Sequence, residues 1–303
     1  MKIKKVSVIG LGALGILFGH QLAKKIGSDF SVIADQKRIA KYRAQGIFCN
    51  GEAYEFHYQA PTDNDLADLI IFAVKINGLE EAIESVRNHV GPDTIMMSLL
   101  NGITSETIIG DAFGEANLIW SVTQGMDTVK EDNLLFYTNP GIICFGNRNG
   151  GESSEKINRI QGFFDRTGIA YQIDNQMDRK IWAKFMLNVG VNQVVSIFGE
   201  NFGSVQKPGK LRELMIAAMA EVILVAGKEG VVLTRDDITY WLGVVDSLSP
   251  QGKPSMRQDV EARRLSEVEL FSGTVNRLGA KHGIDTPVNG YLYEEIKAIE
   301  SQY

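Results

Sequence analysis

Cysteine is nearly absent from this chain: Cys49 and Cys144 are the two in 303 residues, too few for a disulfide framework. Histidine is scarce as well, and His20, His57, His89 and His282 are scattered without a ligand spacing such as H-E-x-x-H. A reduced, metal-free, cytoplasmic protein is the expectation. Positive charge is not in excess, since the formal net charge is −6 and the basic runs stop at the pairs Lys37-Arg38 and Arg263-Arg264. That disfavours a nucleic-acid partner. No apolar stretch reaches the roughly 20 residues needed to span a membrane. Lys2, Lys4 and Lys5 ahead of an apolar run to Phe18 imitate a signal peptide, but glycines interrupt the run and no small-residue cleavage site follows, so secretion is not expected.

With 44% hydrophobic and 22% charged residues the composition is that of an ordinary globular protein. At about 150 residues per domain, two domains are expected. Lys5 to Ile9 reads as a buried strand that runs into Gly10-Leu11-Gly12-Ala13-Leu14-Gly15, and a helical pattern continues from Ile16. This is G-x-G-x-x-G in the setting it requires. Gly10 permits the tight turn, Gly12 lets backbone approach a pyrophosphate, and Gly15 lets helix and strand pack closely. The helix N-terminus adds N–H donors and a positive dipole. A second strand, Phe30 to Ala34, ends in Asp35 at the distance expected of a ribose-binding acid, which favours NAD. Lys37 and Arg38 argue for NADP, because two cations there could hold a 2′-phosphate. They could equally be a solvated first turn of the next helix.

Ile47 to Tyr58 reads as a hairpin around Asn50-Gly51. Apolar strands then alternate with helices: Leu69 to Val74, the helix Leu79 to His89, Thr94 to Leu99, the helix Ser105 to Phe113, and Leu118 to Thr123. Strands without polar alternation predict a parallel sheet covered on both faces. Lys75 and Asn101-Gly102 fall at carboxyl ends of strands, where such sheets bind ligands; a solvated lysine and a plain turn are the alternatives. A hairpin turning at Asn139-Pro140-Gly141 is expected between Thr128 and Gly146, then a helix from Ser154 to Arg166 and a strand from Ile169 to Ile173. Beyond this the pattern is helical, over Met177 to Phe198, Lys210 to Glu229, Arg235 to Val245, Met256 to His282 and Gly290 to Ser301. The fold class is therefore α/β: a Rossmann-type dinucleotide-binding domain over 1–173 and an all-helical domain over 174–303, with an active cleft expected between them.

The first of these helices holds KIWAKFMLNVGVNQVVSI, residues 180 to 197, apolar nearly all round and therefore predicted to be buried. Lys184, Asn188 and Asn192 recur every fourth residue and share one face. Buried polar groups need partners, inside the protein or on a ligand. Hydride reduction of a ketone leaves charge on oxygen and needs a proton donor within reach, and a half that offers one histidine, His282, makes a lysine the natural donor. An ion pair with Glu267 is the competing role for Lys184. Ser255 with Gln258 has the form of a capping box, Thr234 with Asp237 that of a helix start, and Asp259, Arg263 and Glu267 would share a helix.

Together these segments resemble the ketopantoate reductase family across both domains: GLGALG at 10 to 15, Val74-Lys75, Asn101-Gly102, Lys184 with Asn188 and Asn192, and SMRQD at 255 to 259 followed by Glu267. The resemblance implies an NADPH-dependent reduction of 2-dehydropantoate, a 2-oxo acid, with NADH as the alternative cofactor. It makes Lys184 the general acid, places Lys75 and Asn101 near nicotinamide and substrate, and assigns Asn188, Asn192, Ser255 and Glu267 to substrate or cofactor. The chain departs from the family pattern at Leu100, Gly78 and Gln193, where glutamine, glutamine and proline are usual. This thinner polar shell leaves open another 2-oxo acid. A silent dinucleotide-binding regulator that pairs through the helix of 210 to 229 is a third reading, and surplus apolar helical surface leaves a homodimer open.

Overall fold

The computed structural model describes residues 2–303. The chain divides into two compact units, the first ending at Met177 and the second running Asp178–Tyr303. In the first, β1 (Val6–Ile9), α1 (Ala13–Ile26), β2 (Phe30–Ile33) and α2 (Gln36–Gln45) open the chain. A hairpin of β3 (Ile47–Cys49) and β4 (Glu52–Tyr54) follows, then β5 (Tyr58–Gln59), β6 (Ala67–Phe72), α3 (Leu79–Val86), β7 (Val90–Ser98), α4 (Ser105–Phe113) and β8 (Leu118–Gln124). The unit closes with β9 (Val129–Glu131), β10 (Leu134–Phe136), β11 (Ile142–Gly146), α5 (Glu155–Thr167) and β12 (Tyr171–Ile173).

Eight strands form one sheet in the order β12-β11-β8-β7-β6-β1-β2-β5. From β5 to β8 every pairing is parallel, and β11 joins antiparallel to β8. The strands are apolar throughout because helices cover both faces, and β1, β2 and β8 are buried along most of their length. Phe145, Phe163 and Phe164 are fully buried where α5 closes one side, each worth about 1.5–3 kcal/mol in transfer from water.

Two expectations about hairpins need correction. Asn50 and Gly51 do form the turn of β3 and β4, both at positive φ, but Tyr58 leaves that hairpin and pairs with β2 in the main sheet. The second hairpin turns at Asp132 and Asn133, with Asp132 at φ 48°, rather than at Asn139-Pro140-Gly141. Its strands add to the first hairpin as a separate sheet, β4-β3-β10-β9. Asn133 holds that junction by donating to the carbonyls of Gln45 and Gly46, a long-range contact with no local sequence signal.

The second unit is helical: α6 (Met177–Ile197), α7 (Gly203–Gln206), α8 (Lys210–Lys228), α9 (Arg235–Ser247), α10 (Ser255–Glu261), α11 (Ser272–His282) and α12 (Pro287–Glu300). Asp237 closes the expected cap by accepting from the Thr234 amide at 2.8 Å. The predicted helix from Met256 to His282 is broken. Arg263 takes a left-handed φ of 49°, and the Arg264 amide bonds back to the Asp259 carbonyl at 2.9 Å, the 6→1 closure of a helix end. Such ends usually carry glycine; an arginine there gives no warning. Asp259 then pairs with Arg264 at 3.0 Å instead of Arg263, and Glu267 stands beyond the break on no shared helical face.

Among the described residues no helix is long and apolar enough to cross a membrane, and no group of three His, Cys, Asp or Glu is placed to hold a metal ion.

Candidate active site

The parallel strands of the first unit bring three of the predicted segments to one edge. The Ala73 amide bonds to the Ile9 carbonyl and the Leu99 amide to the Phe72 carbonyl, both at 2.9 Å, so the chain leaving β1, β6 and β7 does so side by side. Gly10, Val74-Lys75 and Asn101-Gly102 are therefore neighbours, as the carboxyl-end rule for such sheets requires. Gly10 sits at φ 97°, and a Cβ there would lie 2.7 Å from Val74 Cγ1 and 2.8 Å from its amide nitrogen. A Cβ on Gly15 would stand 1.8 Å from the Gly10 carbonyl oxygen, so no side chain fits between turn and helix.

Gly12 is exposed and begins α1 with neither a side-chain cap nor an acidic residue in the first turn. The free N–H groups and positive dipole of that helix end suit a pyrophosphate. Leu11 is buried under the turn, while Ala13 and Leu14 are half-buried at its start. Lys75 is exposed and Asn101 half-buried.

Asp35 follows β2 and begins α2, where its Oδ1 accepts from the Arg38 amide at 2.8 Å. Arg38 does not point freely into solvent. Its Nη1 and Nη2 donate to the two carboxylate oxygens of Glu81 on α3, at 2.7 and 3.3 Å, and its Nε lies 3.4 Å from Asp35 Oδ2. These contacts hold the guanidinium's pKa above its ordinary value, chiefly through the bond to Glu81. Lys37 is exposed. No local sequence pattern links residues 38 and 81.

On α6, Ile181, Trp182, Phe185, Met186, Val189, Val194 and Val195 are buried, as the all-round apolar pattern predicts. Trp182 meets Phe185 edge-on with centroids 5.7 Å apart, and Phe185 packs on Phe271 at 6.4 Å. Lys184 is half-buried. Asn188 and Asn192 are 9% and 4% exposed and bond to each other, Asn192 Nδ2 donating to Asn188 Oδ1 at 3.3 Å.

Asn192 also reaches α10. Its Oδ1 accepts from the Ser255 hydroxyl at 3.3 Å and from the Met256 amide at 3.2 Å. This replaces the capping box expected of Ser255 and Gln258. Pro254 precedes the helix, Ser255 is its first residue, and Gln258 donates to the Lys253 carbonyl. The asparagine thus caps a neighbouring helix through space, which a pattern of consecutive residues cannot show. Glu267 is half-buried in the turn after α10. The loop is held by buried Glu300, whose Oε1 accepts from the Ser266 amide at 2.7 Å and hydroxyl at 2.6 Å. A cavity of about 530 Å³ lined by Trp120, Arg148 and Arg159 lies at the other end of the strands and includes none of these residues.

The sequence model described as "Ketopantoate reductase PanE/ApbA" matches residues 6–150, and its C-terminal counterpart matches residues 176–300. The chain belongs to the ketopantoate reductase family. Among relatives in this family, 2-dehydropantoate 2-reductase of Streptococcus pyogenes serotype M3 is 25% identical over 305 residues, covering 98% of each chain. A solved PanE/ApbA family ketopantoate reductase from Ralstonia eutropha JMP134 is 22% identical with a TM-score of 0.84, over 98% of this chain and 99% of that one. D-mandelate dehydrogenase, solved with NADH and anilino(oxo)acetate, is 23% identical with a TM-score of 0.87 over the same shares. Membership makes this chain an NAD(P)H-dependent oxidoreductase, and the architecture of a ketopantoate reductase is the one observed.

Proposed function

We propose that this ketopantoate reductase family member reduces the ketone of a 2-oxo acid to the 2-hydroxy acid, with 2-dehydropantoate as substrate and Lys184 as proton donor. The carrying observation is the line of Lys184, Asn188 and Asn192 on a buried helix, in a chain whose first unit presents an uncapped glycine turn beside the ends of β6 and β7. When bound, a reduced nicotinamide would be the source of the hydride that the ketone carbon gains. The residues Gly10 to Gly15 would hold its pyrophosphate on the α1 amides, and Asp35 would accept from an adenosine ribose hydroxyl. Lys75 and Asn101, at the strand ends, would orient the nicotinamide half.

Lys184 would hold a proton on Nζ for the oxygen that gains charge, a role worth about 10²–10⁴ in rate. Asn188 would donate from Nδ2 to a carboxylate, Ser255 Oγ would accept from a hydroxyl, and Glu267 would hold the ammonium in place. Asn192 has both lone-pair directions of Oδ1 directed at α10, so its share in substrate binding would be through Nδ2 alone.

Initial-rate assays with 2-dehydropantoate and other 2-oxo acids, each with NADPH and NADH, test this reading. Lys184→Ala should lower kcat by two to four powers of ten; near-wild-type turnover in that variant removes lysine from the chemistry. A second reading keeps the reaction and changes the acid, with NADH as reductant. It is supported by the resemblance to D-mandelate dehydrogenase and by the pairing of Arg38, the cation that would otherwise favour NADPH.

A further inference from the structure

The geometry at the end of β2 points to Glu81 as the residue that sets the cofactor preference: we propose that it holds the Arg38 guanidinium away from a ribose 2′-phosphate, so the chain favours NADH over NADPH. This rests on the reading that the dinucleotide lies across Gly10 to Gly15 with its ribose at Asp35. A guanidinium meets one planar anion through a fork of parallel N–H bonds. In Arg38 that fork, Nη1 and Nη2, is filled by Glu81 at 2.7 and 3.3 Å, and Nε faces Asp35 at 3.4 Å.

Charge counting leads to the same place. Asp35 and Glu81 cancel Lys37 and Arg38, so a 2′-phosphate meets a locally neutral group with two carboxylates in it. Removing Glu81 leaves one net positive charge and an open fork. The ribose 2′-hydroxyl of NADH needs neither, since Asp35 alone can accept from it. Asp35 is well placed for this because its Oδ1 is fixed by the Arg38 amide and a carboxylate can accept further bonds.

Exposure limits the size of the effect. The Arg38 and Glu81 side chains are 53% and 58% exposed, and pairs so exposed are worth only about two- to fivefold in an equilibrium constant. Repulsion between Glu81 and a phosphate dianion adds a comparable, salt-screened factor. Glu81 therefore sets a preference and not an exclusion, and Glu81→Gln should raise the NADPH-to-NADH affinity ratio about three- to tenfold.

Calorimetric titration of the full-length protein with NADPH and NADH tests this without knowledge of the substrate. Wild type should bind NADH more tightly, Glu81→Gln should shift the ratio towards NADPH, and the shift should be lost in Glu81→Gln/Arg38→Gln. 2′,5′-ADP should gain affinity in Glu81→Gln where 5′-ADP does not, which a general change in folding would not produce. An unmoved ratio with both dinucleotides still bound overturns the role of Glu81, as does a gain that survives loss of Arg38. If wild type binds neither dinucleotide, the cofactor site itself is misassigned and the inference falls with it.

Discussion

Replacing Asn192 by alanine removes one side chain that serves two helices. Asn192 is 4% exposed, and its Oδ1 is the acceptor for the amide of Met256, a residue that is itself fully buried. Truncation leaves that N–H without its partner, a loss of about 1–3 kcal/mol for a buried donor. The bonds to Ser255 and Asn188, both 3.3 Å long and neutral, add about 0.5–1.5 kcal/mol each at most. Exposed Ser255 can turn to water, so its bond counts for the least. A total near 2–4 kcal/mol follows. Urea denaturation followed by circular dichroism should show a lower midpoint for Asn192→Ala with an unchanged slope. Asn192→Asp keeps the acceptor and should retain more of the α10 contact, at the cost of a carboxylate facing Asn188 Oδ1. An Asn192→Ala variant within about 0.5 kcal/mol of wild type would refute the through-space cap, since surface substitutions without a structural role fall in that range.

Gly190 lies where α6 meets α8: a Cβ there would stand 2.8 Å from Met219 Cγ and 3.0 Å from the Met215 carbonyl oxygen, so Gly190→Ala should cost about 1–3 kcal/mol in urea unfolding. Glu221 is buried and accepts from the amides of Val288 and Asn289, both at 2.8 Å, at the start of α12; Glu221→Ala should destabilise by about 2–4 kcal/mol, and an unchanged midpoint would show that these amides find other partners. His20 is buried beside Tyr54, and desolvation, helped by Lys24, pushes its pKa below the ordinary 6.5. The unfolded chain therefore binds a proton there that the native state resists, and the penalty appears as pH falls through about 6.5. Thermal melts from pH 8 to pH 5 should show this loss in wild type and less of it in His20→Phe; equal slopes would contradict it.

Much of the first unit was legible because its rules are local. An apolar strand, a glycine turn and a helix within 25 residues are enough to predict β1 and α1, and Asn50-Gly51 predicts its own turn because few other pairs tolerate two positive φ values. Misreadings came where partners are distant. The end of α10 depends on a left-handed arginine, and the hairpin at Asp132 and Asn133 depends on a bond from Asn133 back to α2. The pairing of Arg38 with Glu81 joins residues 43 positions apart, so the cation is visible beside Asp35 in the sequence while its anion is not.

Sequence alone determined the glycine turn, the strand-end positions of Lys75 and Asn101, and the stripe of Lys184, Asn188 and Asn192, because each follows from spacing along one element. Tertiary structure decided what those side chains touch. It made Asn192 the cap of α10, placed Glu267 in a turn held by Glu300, and turned Arg38 from an open cation into one member of a fork with Glu81. A hydrogen bond acts over about 3 Å whatever the separation along the chain, and only the folded backbone sets which residues come that close.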